Sequence, residues 1–210
     1  MKKLTVLFII TFLLSCGSKK EIKTVLSSYS GSVTVNSSAV KGTGMLLKPG
    51  DIIETGDTSF CDIMINKKNI IRIKENTRLI LHITSRDSFL QIDKGWLAGV
   101  TKEKFTTEGK YNVKTPTVVA AVRGTSFCVK VENDKNTYFC VCNGTINLTG
   151  SGMDKGEDVT AAHHAATRFT LRSDGSIATD NNPGLLYHGD AGLEELAGVI
   201  NEKIDWSKPD

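Results

Sequence analysis

Between Ser32 and Leu148 the chain is a run of short segments in which apolar and polar residues alternate, each closed by a turn signal. Such segments are Ser32–Asn36, Phe60–Ile65, Ile70–Ile73, Arg78–Ile83, Phe89–Ile92, Tyr111–Lys114, Ser126–Val131 and Thr137–Cys142. Between them stand Pro49-Gly50-Asp51, Gly56-Asp57, Asn66-Lys67-Lys68-Asn69, Lys94-Gly95 and Glu108-Gly109. Successive side chains of a strand point to opposite faces, so Cys61-Asp62-Ile63-Met64-Ile65 and Ile71-Arg72-Ile73-Lys74 each present one wet and one buried face. Spacing of roughly ten residues predicts an all-β sandwich, barrel or solenoid, not a helical domain.

Asn143-Gly144 accepts the positive φ angles of a type I′ turn. It predicts a hairpin with Tyr138–Cys142 on one arm and Thr145–Leu148 on the other. Thr149-Gly150-Ser151-Gly152 reads as a flexible break. Beyond it, Val159–Leu171 predicts a strand or two. A short C-terminal helix is expected over Ala191–Ile204, with Asp190 as N-cap and Leu193, Leu196, Ala197, Ile200 and Ile204 on its apolar face. The expected fold class is therefore mainly β with one short C-terminal α-helix.

The N-terminus has a different grammar. Lys2 and Lys3 precede an apolar run, Leu4–Leu14, which is shorter than the ~20 residues that span a bilayer but suits a signal peptide. Leu13-Leu14-Ser15-Cys16 has the form of a lipobox. Cys16 is expected to carry diacylglycerol, each buried methylene contributing roughly 0.8 kcal/mol to anchoring. The organisation predicted is a signal peptide over 1–15, a lipidated tether over 16–30, a β domain over 31–150 and a C-terminal extension over 151–210 that holds a histidine segment and the helix. Loss of Lys2 and Lys3 takes the formal net charge from +3 towards neutrality, which gives no electrostatic case for nucleic-acid binding. The expected location is the cell envelope, facing the periplasm or the cell surface.

Four cysteines remain after lipidation: Cys61, Cys128, Cys140 and Cys142. Outside the cytoplasm they are free to form disulfides. Cys140 and Cys142 on one strand share a face with Cα atoms about 7 Å apart, at the edge of disulfide reach. Two thiolates on one face, followed by His163, His164 and His188, also supply the donors of a tetrahedral site. In a strand His163 and His164 would point to opposite faces, so at most one of the two is expected to join. Such a set suits Zn²⁺ first and Cu or Fe after it, with Asp190 or Glu194 orienting an imidazole from behind. Structural or disulfide-bonded cysteines, a metal site and a reactive thiol all remain open at this level. His82 reads as a strand residue on a wet face.

Three ordered pieces carry a resemblance. Lys48-Pro49-Gly50-Asp51-Ile52-Ile53-Glu54-Thr55-Gly56 comes first and Lys94-Gly95-Trp96-Leu97 second. The third is Val113-Lys114-Thr115-Pro116-Thr117-Val118-Val119-Ala120-Ala121-Val122-Arg123-Gly124-Thr125-Ser126-Phe127. Together they resemble the FecR domain, a periplasmic or surface β domain of bacteria, with Gly50, Asp51, Thr115, Pro116, Arg123, Gly124 and Thr125 as its signature. The C-x-C, HH and final His are similar to those of a subset of these proteins. The resemblance implies a sensing or binding module that contacts an envelope protein. The lipoprotein layout shows no cytoplasmic arm, so no sigma-factor contact is expected. No catalytic motif is present, and a non-enzymatic lipoprotein that binds or senses a protein or ligand is the leading expectation. A metal-binding redox protein or enzyme of the envelope is the alternative.

Overall fold

The computed structural model describes residues 22–150 and 156–210. The expected signal peptide, Cys16 and the expected tether up to residue 21 lie outside the described residues. The strands of the first half are β1 (Thr24–Ser30), β2 (Val33–Val35), β3 (Ser38–Ala39), β4 (Met45–Leu46), β5 (Asp51–Thr55), β6 (Phe60–Ile65), β7 (Asn69–Ile73) and β8 (Arg78–His82). Those of the second half are β9 (Phe89–Thr101), β10 (Tyr111–Lys114), β11 (Val118–Asn133), β12 (Asn136–Gly150), β13 (Glu157–Ala161), β14 (Ala165–Leu171) and β15 (Ile177–Asp180). One helix, α1 (Asp190–Val199), follows.

Three long strands organise the rest, and each changes partner at a glycine. β9 pairs with β8 up to Lys94, then with β11 from Gly95 and with β7 from Leu97. β11 pairs with β10 up to Val122 and with β9 from Ser126. β12 pairs with β14 up to Val141 and with β13 from Gly144. The register shifts near these points, and Gly95, Gly124 and Gly144 have φ of 99, 61 and 120°. A bulge bends a strand and lets it pass from one layer of a sandwich to the other. At Gly95 a Cβ would also come within 2.4 Å of the Thr77 Cα.

The fifteen strands thus form one continuous sheet folded into two layers. Between the layers lies a core that includes Ile53, Ile63, Leu81, Leu90, Phe127 and Phe139. The outer face of the second layer is covered as well. There Leu193, Leu196, Ala197, Ile200 and Ile204 pack on Ile70, Ala98 and Val100. Strands buried on both faces lose their alternation, which is why Tyr138-Phe139-Cys140-Val141-Cys142 is buried throughout. The same arithmetic places Phe139 and Val141 in the main core and Tyr138, Cys140 and Cys142 under the helix side.

Several expectations need correction. Asn143-Gly144 is no hairpin turn: β12 runs through it, and the turn between β11 and β12 is at Asp134-Lys135. The positive-φ capacity of Gly144 serves the bulge instead. Part of the expected tether is a strand, because Thr24–Ser30 fills a place beside β6. The expected C-terminal extension is no appendage either, since β13, β14 and β15 extend the same sheet. Helix α1 is shorter than predicted, and its N-cap is Gly189, which makes no side-chain cap bond. Asp190 is the first helical residue, and its carboxylate is used elsewhere.

Gly50, Asp51 and Thr115 of the signature shape turns. Gly50 has φ 96°, and the Asp51 carboxylate accepts hydrogen bonds from the Lys48 N–H (2.7 Å) and the Asn36 amide (2.9 Å). The Thr115 hydroxyl accepts from the Val118 N–H at 3.0 Å, closing the turn around Pro116 between β10 and β11. Arg123 is exposed at the bend of β11, with no side-chain hydrogen bond among the described residues.

Candidate metal centre

Cys140 and Cys142 project from the same face of β12 and have no exposure. Cys140 stands opposite Cys128 of β11 on one side and Ala166 of β14 on the other. His164 ends the turn between β13 and β14. Its N–H donates to the Cys142 carbonyl at 3.0 Å, and its backbone is held at φ 55°. That left-handed conformation, rare for a residue with a Cβ, swings the imidazole over β12. Its Nδ1 lies 3.6 Å from the Cys140 Sγ.

His188 comes from the loop ahead of α1, a loop pinned by the Tyr138 hydroxyl. That hydroxyl donates to the Gly184 carbonyl (3.3 Å) and accepts from the Leu186 N–H (3.2 Å). His188 Nε2 then lies 3.2 Å from the Cys142 Sγ. The four donor atoms of Cys140, Cys142, His164 and His188 all lie within 4.8 Å of one another.

Both rings have their far nitrogen engaged. His188 Nδ1–H donates to the Leu186 carbonyl at 2.8 Å. His164 Nε2–H donates to Asp190 Oδ1 at 2.7 Å. A proton fixed on the far nitrogen leaves the near one as a lone pair, the arrangement of a ligating imidazole backed by a carbonyl or carboxylate. A tetrahedral Zn²⁺ with bonds of about 2.3 Å to sulfur and 2.0–2.1 Å to nitrogen holds S and N about 3.6 Å apart. The contacts at 3.2 and 3.6 Å fit that spacing.

Electrostatics agree with ligand chemistry. The neighbouring Cys142 thiol, which keeps the proton of the pair, and then the two imidazoles hold the Cys140 thiol well below its ordinary range despite burial. Burial, together with that thiolate, pushes Cys142 up. Burial alone would lower His164, but the Cys140 thiolate and Asp190 carry it above its usual value. Asp190 is lowered by His164 first, then by His163.

Of the five residues proposed from the sequence, four converge. His163 stays outside with its Nε2 on Asp190. Between the two expected orienting groups, Asp190 takes the role, while Glu194 accepts the Trp206 indole N–H at 2.8 Å. All four described cysteines are free thiols. Cys61 belongs to the main core, and burial followed by Asp62 raises it to about 12. His82 is half-buried and stacks on Phe89 at 4.8 Å, far from this site in the fold. Sequence reasoning missed Tyr138 and Trp206. The available signals were Tyr138, two residues before Cys140 on the same strand face, and Trp206, an aromatic in the tail that also holds the paired histidines.

Residues 51–147 match the family model described as FecR protein. The β core over these residues is similar to a FecR domain. Comparison with curated proteins gives no match. Among solved structures, a crystal structure of a candidate anti-sigma factor from Parabacteroides distasonis ATCC 8503 aligns at TM-score 0.50 with 13% identity, covering 71% of this chain and 73% of that one. A second, also of a candidate anti-sigma factor from that organism, aligns at TM-score 0.49 with 14% identity over 62% of this chain and 59% of that one. This chain therefore spans less than two thirds of that relative's length. The expectation of no sigma-factor contact is overturned by the first of these structures, itself that of a candidate anti-sigma factor. That exclusion was drawn from the N-terminal layout and considered no surface of the FecR domain.

Proposed function

We propose that this chain is an envelope lipoprotein, anchored through Cys16, whose FecR domain engages a protein partner and holds a transition-metal ion at Cys140, Cys142, His164 and His188. The observation that carries the metal reading is the convergence of four donor atoms whose two imidazoles are each fixed by a hydrogen bond at the far nitrogen. Two thiolates and two imidazoles favour Zn²⁺, ahead of Cu or Fe. The ion would join β12, the β13–β14 turn and the loop before α1. It would thereby hold in place the surface where Leu185 and Tyr187 stand exposed. That surface is the one offered to a partner. The FecR fold, shared with candidate anti-sigma factors, supports a protein partner within sigma-factor signalling.

The role is binding, not catalysis. Four protein ligands complete a tetrahedral shell and leave no position for substrate. Both thiols are buried, so neither offers itself as a nucleophile. The experiment is elemental analysis of the mature protein, purified under reducing conditions, beside the Cys140→Ser/Cys142→Ser variant. A tightly held ion in the first and none in the second is expected. Absence of metal from both, even after incubation with Zn²⁺, Cu⁺ or Fe²⁺, would sink the metal reading.

A further inference from the structure

His163 is left over from the inner set, yet it is not idle. It is half exposed, and its Nε2 lies 3.0 and 3.1 Å from the two carboxylate oxygens of Asp190. The same carboxylate lies 2.7 Å from Nε2 of His164. His164 therefore faces two donor sets with its two ring nitrogens: Nδ1 inward to the thiols, Nε2 outward to Asp190 and His163. The donor atoms of His163, His164 and Asp190 lie within 4.8 Å of one another.

We propose a second metal position at His163 Nε2, Asp190 and His164 Nε2, sharing the His164 imidazole with the inner ion. It deepens the metal reading above and rests on it. Three observations carry it. Sequence neighbours in a strand would point apart. Here they share one side because His164 is held at φ 55° in a turn. The two rings are 4.7 Å apart, and the Trp206 ring packs on both, at 4.9 and 5.3 Å. The spacing also suits a divalent ion. At the 90° angles of six-coordinate geometry, completed by water, bonds of about 2.0–2.2 Å to N and O set neighbouring donors about 3 Å apart, and the nitrogen–oxygen pairs stand at 2.7, 3.0 and 3.1 Å.

Charge does not oppose double occupancy. Two thiolates neutralise a divalent inner ion, so the Asp190 carboxylate acts on the outer one unopposed. When the outer ion binds, the Nε2–H of His164 is displaced as a proton to solvent and the ring becomes a bridging imidazolate. The hydrogen bonds to Asp190 give way to metal–ligand bonds. The outer donors are two nitrogens and a carboxylate, with no sulfur, and the position is open to water. That set takes Zn²⁺, Ni²⁺, Co²⁺ or Cu²⁺. The inner ion is thus the held one and the outer ion the exchangeable one.

The test is a Co²⁺ titration of the full-length chain followed by absorption. The wild type should take up two equivalents. The first brings a thiolate-to-cobalt charge-transfer band. The second adds only weaker ligand-field bands and shifts the first band as His164 becomes imidazolate. The His163→Ala variant should stop at one equivalent with the thiolate band intact, which also reports that the variant is folded. A wild type that saturates at one equivalent with that band, or a His163→Ala chain that still binds two, overturns the second position while the inner site stands. No thiolate band in the wild type refutes the inner site itself, and the shared-imidazole pair with it.

Discussion

Replacing Asn143 by alanine should loosen the whole C-terminal tail. Asn143 has no exposure, and its side-chain NH₂ lies 2.8 to 2.9 Å from the carbonyls of Ala162, Asp205 and Lys208. Its Oδ1 accepts the Asp210 N–H at 3.1 Å. An NH₂ carries two hydrogens, so three carbonyls share two full bonds, and the Oδ1 contact adds a third. At about 1 kcal/mol net per bond the amide stabilises the fold by about 3 kcal/mol. Asp205 and Lys208 are exposed residues, so water takes over part of their bonding once the tail lifts, and the expected loss is about 2 kcal/mol. With a urea slope of about 2 kcal/mol per molar, the midpoint should fall by about 1 M. Hydrogen exchange at the amides of residues 205–210 should accelerate in the same variant, ahead of the β core. A change under about 0.5 kcal/mol, typical of a bland surface substitution, with unaltered exchange at Asp210 would refute this account of how the tail is held.

Three further outcomes are expected. Asp62→Ala should cost about 2–3 kcal/mol in denaturant unfolding, because it removes the two charge-assisted bonds of Arg72 to buried Asp62 (2.7 and 2.9 Å) and leaves the guanidinium only exposed Glu195 of α1 (2.8 Å); a neutral effect would contradict the bridge. Asp190→Asn should weaken Zn²⁺ affinity in competition with a chelator by about 10–100-fold, since the His164 tautomer is then no longer enforced; unchanged affinity would count against that positioning role. Burial opposes ionisation of Glu132, but Arg168 and then Tyr187 hold it below its ordinary 4.5. A lowered carboxylate contributes stability above about its unfolded value and loses it as pH falls through the folded one. Glu132→Gln should therefore flatten the stability profile on the acid side of pH 4.5; parallel profiles for the two proteins would show that the Arg168 pair contributes nothing.

Much of the β domain was legible because alternation is a local property. Phe60–Ile65 and Tyr111–Lys114 fall where period-two patterning put them, and Arg78–His82 differs by a single residue. The apolar face of the helix was readable for the same reason: Leu193, Leu196 and Ala197 are buried on α1, and Ile200 and Ile204 are buried just beyond it. The Cys/His set was legible as chemistry: cysteines two apart on a strand must share a face, and two later histidines were needed to complete four donors.

Sequence periodicity by itself determined the β class, the strand pitch and which side chains of a regular strand share a face, since all of these depend on neighbours a few residues apart. Only the tertiary structure decided which strands fork at Gly95, Gly124 and Gly144, and that Asn143 clamps a tail more than sixty residues away instead of turning a hairpin. It also decided that His164 joins the thiols while His163 shares Asp190. A strand reading of His163 and His164 separates them, but the turn between β13 and β14 brings both to one carboxylate. The physical reason is the same in each case: a positive-φ residue permits several local shapes of similar energy, and the choice among them falls to contacts between parts of the chain that are far apart in sequence.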